Sequence, residues 1–181
     1  MTVVDYRALC GMPETGRVAW VERERPHSGS PQWALSVIES VETHASVSTR
    51  RAGGLDLPAF DFAVWFLQTS VRLGDLTPSY AAYWLLRFAA VAQRAPHHGL
   101  PDLLRPDRVA RHTIESFPLT LERYREVSVK WAREADEDKP ADEEFRLMQD
   151  ASWTLPSLAW VRDAIVDPML RDEVDTWLAA H

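Results

Sequence analysis

The chain has a single cysteine, Cys10, in 181 residues. That excludes an intramolecular disulfide and any CxxC metal or redox pair. Lysine is almost as scarce: two of the twenty basic residues, the rest arginine. This bias fits a GC-rich, bacterial source and carries no functional signal of its own. No apolar run approaches the roughly 20 residues that a membrane span requires. The N-terminus lacks the basic stretch and apolar core of a secretory signal, so the expected location is the cytoplasm and no membrane partner is expected. Glycine is sparse, with seven residues. The best pair, Gly53-Gly54, has no following Lys-Ser/Thr, which excludes the common phosphate loop. Ser28-Gly29-Ser30 is not the Gly-x-Ser-x-Gly elbow of a hydrolase. Cys10, followed by Gly-Met-Pro, reads as a small buried residue and not a nucleophile.

What is present is ordinary in amount and uneven in placement. Apolar residues make up 46% and charged residues 26% of the chain, values typical of a folded globular protein. At this length one domain over 1–181 is expected. The formal charge is −7. Residues 1–131 hold fifteen basic and fourteen acidic side chains, whereas residues 132–181 hold five and thirteen. A net-negative chain argues against nucleic-acid binding, which needs a basic footprint.

The hydrophobic pattern is helical. Pro31 starts a helix in which Trp33, Val37, Ile38 and Val41 recur at helical spacing. Gly53-Gly54 ends it. Pro58 opens a second helix that Gly74 stops. Thr77-Pro78 opens a third, running to about residue 95. Short helices are expected at 107–115 and 142–152. A helix capped by Thr120 presents Leu121, Tyr124, Val127 and Trp131 on one face. Pro156 and Asp167-Pro168 open the last two. Residues 1–30 read as irregular, with 18–21 fitting a short strand paired with 3–9 in a hairpin. The expected fold is all-α, a compact bundle of six or seven helices with an irregular N-terminal segment.

Two regions carry candidate chemistry. In the first, the helices of 58–95 are apolar nearly all round, and each has one polar stripe. Asp61, Gln68 and Arg72 form the first stripe, with Trp65 between them. Tyr80, Tyr83, Arg87 and Arg94 form the second. An antiparallel turn near residue 75 brings Arg72 beside Tyr80, Gln68 beside Tyr83, and Arg87 near Asp61 and Trp65. The stripes then meet in one seam. That seam is either an Asp61–Arg87 pair fixing helix register or a ligand pocket of the kind helical bundles build. On the pocket reading the protein is a small helical enzyme or small-molecule-binding protein. Asp61 then acts as acid or base, Arg87 holds an anionic group, and Tyr83 or Tyr80 donates hydrogen bonds.

The second region, 134–144, holds seven carboxylates and one lysine. Glu134, Asp136, Glu137 and Asp138 lie between Trp131 and Trp153, combining steering charge with aromatic anchors. The leading functional expectation is therefore a non-catalytic, acidic interaction module. It would bind a basic protein partner, as an inhibitor or immunity protein neutralises a nuclease toxin. No metal or other cofactor is implied. His97-His98, His112 and Glu115 cluster in sequence but lack the Glu-x-x-His pairs of di-iron bundles. Glu39 and Glu42 share a face of the first helix, which reads as solvated. The arginines of 94–111 are expected to pair with the acidic C-terminal region.

Overall fold

A computed structural model describes residues 6–26, 31–93, 99–116 and 157–180. The fold is all-α, and no strand occurs among the described residues. The helices are α1 (Tyr6–Cys10), α2 (Glu14–Glu24), α3 (Pro31–Ala52), α4 (Leu57–Arg72), α5 (Pro78–Ala92) and α6 (Pro106–Ser116). A 3-10 turn, Asp102–Leu104, precedes α6. Residues 157–162 are helical (α7), and α8 spans Pro168–Ala180.

The N-terminal hairpin is not formed. Residues 18–21 lie inside α2, and α1 occupies much of the proposed partner strand. The reason is visible in the burial. Arg17, Trp20 and Val21 face inward from α2, at offsets of three and four that only a helix brings to one side. The apolar run Val18-Ala19-Trp20-Val21 imitates a strand because Val18 and Ala19 are exposed on the other face.

The α3 stripe Ala34, Val37, Ile38, Val41 and Ala45 is fully buried and packs against α4. Helix α4 contributes Phe60, Phe62, Phe66 and Leu67, all with no exposed surface. Trp20 sits at the centre of an aromatic cluster, 5.7 Å from Trp33 and 6.3 Å from both Phe62 and Phe66 between ring centroids. Such offset and edge-on arrangements add to the value of area burial. One hydrophobic core runs from Leu9 on α1 to Val174 on α8.

The turn between α4 and α5 is a Schellman motif. Gly74 adopts φ 76°. Its N–H donates to the Val71 carbonyl at 3.1 Å, and the Asp75 N–H donates to Ser70 at 2.9 Å, satisfying the end carbonyls of α4. Arg25, just past α2, then clamps the turn. It donates to both carboxylate oxygens of Asp75, at 2.6 and 2.9 Å, and to the Leu73 carbonyl at 3.2 Å. Thr77 caps α5 as its sequence predicts, accepting from the Tyr80 N–H at 3.3 Å. Asp167 caps α8, accepting from Met169 and Leu170.

Helix α6 packs on α5 and α8. Asp107 in its first turn accepts the backbone N–H groups of Val166 (3.2 Å) and Asp167 (2.8 Å). Burial raises the Asp107 pKa, but these backbone bonds and nearby Arg171 outweigh it and hold the carboxyl below its ordinary value. Arg162 on α7 donates to Asp175 on α8 at 2.7 Å. That bond raises the guanidinium pKa and lowers that of the carboxyl. The arginines of the 105–111 stretch pair mostly close by. Arg105 and Arg108 reach Asp102, and Arg111 reaches Asp167 at 3.8 Å.

Candidate functional site

The polar stripes of α4 and α5 do not meet in one seam, and no Asp61–Arg87 pair forms. Asp61 accepts from Arg17 on α2 at 2.9 Å, while Arg87 donates to Glu42 on α3 at 3.2 Å. The partners differ because α2 and α3 pack alongside the α4–α5 hairpin and each supplies a nearer countercharge. Of the described stripe residues, Asp61 and Gln68 line one hollow, and Tyr83 and Arg87 line another. Arg72 is exposed and donates to Thr69 in its own helix. The Tyr80 ring lies 5.8 Å from that of Tyr83. Arg94 lies outside the described residues.

The first hollow, about 420 Å³, is lined by Arg17, Asp61, Trp65 and Gln68 together with Met12 and Glu14. Arg17 is buried, and its guanidinium faces the rings of Phe62 and Trp65 at 5.5 and 5.8 Å. It also donates to the Cys10 carbonyl at 3.0 Å. Asp61 keeps 63% of its side chain exposed. Trp65 is half-buried and packs against the core. Asp61 is therefore engaged by an arginine and open to water at the rim of this hollow.

The second hollow, about 440 Å³, lies between α3, α5 and α7. Glu42, Ser46 and Arg50 border it on α3, Tyr83 and Arg87 on α5, and Trp160 on α7. The Arg87 guanidinium stacks 4.7 Å from the Trp84 ring centroid. It donates to the Tyr83 hydroxyl at 2.9 Å as well as to Glu42. Burial works against its charge, but the bonds to Tyr83 and Glu42 win, so its pKa lies above the ordinary value. Arginine held in this way is a rigid donor fork with N–H groups to spare. Trp160 leaves 59% of its surface exposed.

Sequence reasoning placed Tyr83 and Arg87 in a pocket but missed Glu42, Arg50 and Trp160. Glu42 lies one turn beyond Ile38 and next to Val41, so it borders the buried stripe of α3. That position separates it from the exposed Glu39. Nothing in the local sequence marks Trp160.

The other candidates fall as follows. Cys10 is buried, and desolvation, reinforced by Asp56 and Asp61 against the opposing Arg17, pushes its thiol pKa up to about 12. It is no thiolate nucleophile at neutral pH. Among the described residues no three His, Cys, Asp or Glu side chains group as metal ligands. His112 and Glu115 sit on α6, and His97 and His98 lie outside the described residues. The acidic segment with Glu134, Asp136, Glu137 and Asp138, and its flanking Trp131 and Trp153, also lies outside them. No helix among the described residues is long and apolar enough to cross a membrane. No protein-family model matches the chain, and neither curated proteins nor solved structures yield a match.

Proposed function

We propose that this protein is a non-catalytic recognition module that holds a small ligand in the hollow between α3, α5 and α7. The observation that carries this reading is the Arg87 guanidinium. It is stacked on Trp84, tied to Tyr83 and Glu42, and open to a hollow that Trp160 borders. A volume of about 440 Å³ is within the usual range for small-molecule sites. Fixing a half-buried arginine over an aromatic face costs side-chain entropy in advance, which lowers the entropy lost on binding. Binding rather than catalysis is supported by the state of the reactive groups. The one thiol is protonated and buried, and one carboxylate of each hollow, Asp61 and Glu42, is engaged by an arginine. A cytoplasmic setting belongs to this reading.

The test is a ligand-observed NMR screen of fragments against the wild type and Thr43→Trp. Thr43 is an exposed residue of α3 that lines the hollow, so tryptophan there fills space without entering the core. Fragments that bind the wild type and are lost in Thr43→Trp, with an unchanged melting temperature, support the proposal. An empty screen, or hits indifferent to Thr43→Trp, overturns it.

A second reading rests on the charge segregation of the chain: an acidic module that docks on a basic protein partner, of the inhibitor or immunity kind, and not on nucleic acid. The thirteen acidic residues of 132–181 favour it, because opposite charge accelerates encounter and suppresses wrong partners. Reversing the charges at Asp136, Glu137 and Asp138 should slow association with such a partner and flatten its salt dependence. Unchanged binding and salt dependence remove this reading.

A further inference from the structure

We infer that the ligand of the α3–α5–α7 hollow is a monoanion, a carboxylate on an apolar body, seated by Arg50 and Arg87. The inference rests on reading the hollow as a binding site. Two guanidinium groups, Arg50 and Arg87, and one carboxylate, Glu42, line it. Arg87 is matched by Glu42. Arg50 donates only to the Ser46 carbonyl of its own helix, at 3.3 Å, and has no carboxylate partner among the described residues. Among the described residues, the lining of the hollow therefore carries one unmatched positive charge. One charge suits a carboxylate better than a phosphate dianion, and a planar carboxylate matches the two-pronged donor face of arginine. The apolar wall comes from Val47, Ala90 and Val91 with the exposed indole of Trp160, which calls for an aromatic or aliphatic body.

Glu42 gives the inference its sharpest consequence. Its carboxylate occupies part of the Arg87 fork and repels an incoming anion. Neutralising it frees those donors and removes the repulsion, so Glu42→Gln should tighten anion binding. For a cationic or neutral ligand the same substitution weakens binding or does nothing.

The experiment is calorimetry with matched acid and methyl-ester pairs: indole-3-carboxylate, 2-naphthoate and octanoate. The acids should bind about tenfold more tightly than their esters, the scale of one charge-assisted hydrogen bond. Arg50→Gln should weaken the acids by a similar factor and leave the esters unchanged. Glu42→Gln should tighten the acids several-fold. Thermal melts of both variants establish that they fold. Esters binding as well as acids, or acids weakened by Glu42→Gln, overturn the carboxylate assignment while the hollow remains a binding site. If neither acids nor esters bind while fragments from the screen do, the carboxylate assignment falls alone. If nothing binds in a manner blocked by Thr43→Trp, the binding reading falls with it.

Discussion

Arg17 and Asp61 form an ion pair at 2.9 Å in which the two partners stand in opposite environments. The arginine side chain is 10% exposed and the aspartate 63%. Their pairing sews α2 to α4 at the point where the guanidinium also meets two aromatic rings.

That asymmetry decides which deletion hurts more. Asp61→Ala leaves a buried cation without its countercharge, whereas Arg17→Met leaves an exposed carboxylate that water re-solvates. Asp61→Ala should therefore cost about 2 kcal/mol, below the full value for a buried pair because one partner is wet. Arg17→Met should cost about 1 kcal/mol, for the lost donor to the Cys10 carbonyl. The double variant should resemble Arg17→Met alone. Urea denaturation of the three proteins checks the order.

Cys10 should resist thiol reagents in the folded protein. With its pKa pushed up to about 12, the thiolate fraction near neutral pH is negligible and the side chain is buried besides. Modification by a disulfide reagent at pH 8 should follow the unfolding transition in urea. Rapid labelling of the native state would contradict the buried placement.

The Asp107 carboxyl ties α6 to the start of α8 and has a lowered pKa. Its folded-state pKa lies below the unfolded value, so its contribution is present above the ordinary carboxylate range and fades as pH falls through the folded value. Asp107→Asn should cost about 1 kcal/mol at pH 7, the scale of weakened charge-assisted bonds. The gap in melting temperature between wild type and variant should close in the acid range below pH 4. A gap that does not depend on pH would assign the effect to shape and not charge.

Gly74→Ala should destabilise by about 1 kcal/mol through backbone conformation alone. The residue needs φ 76°, yet a Cβ there would meet no atom within 4 Å. A much larger loss in chemical denaturation would indicate that the α4–α5 turn rearranges.

Helix boundaries that depend on local chemistry were legible in the sequence. Pro31, Gly74, Thr77-Pro78 and Asp167-Pro168 act within one turn of themselves, and the structure ends or starts helices at each. The core stripe of α3 followed from spacing alone. The helical segment 18–21 reads as a strand because Val18 to Val21 satisfies a strand propensity locally, while the inward set Arg17, Trp20 and Val21 includes an arginine. A charged residue on a buried face hides the helical period. The carboxylate that finds Arg87 was equally hidden, since Glu42 looks like any solvated helix residue until α5 is placed beside α3.

The sequence by itself determined that the chain is helical, where most described helices start and stop, and that a disulfide within the chain is impossible. These depend on backbone geometry, caps and composition, which act over one helical turn or none. Only the tertiary structure decided that Asp61 belongs to Arg17 and Arg87 to Glu42, and that the stripes of α4 and α5 open into separate hollows. Charge pairing depends steeply on distance and local dielectric, and both are set by which helices pack together, a property no single segment carries.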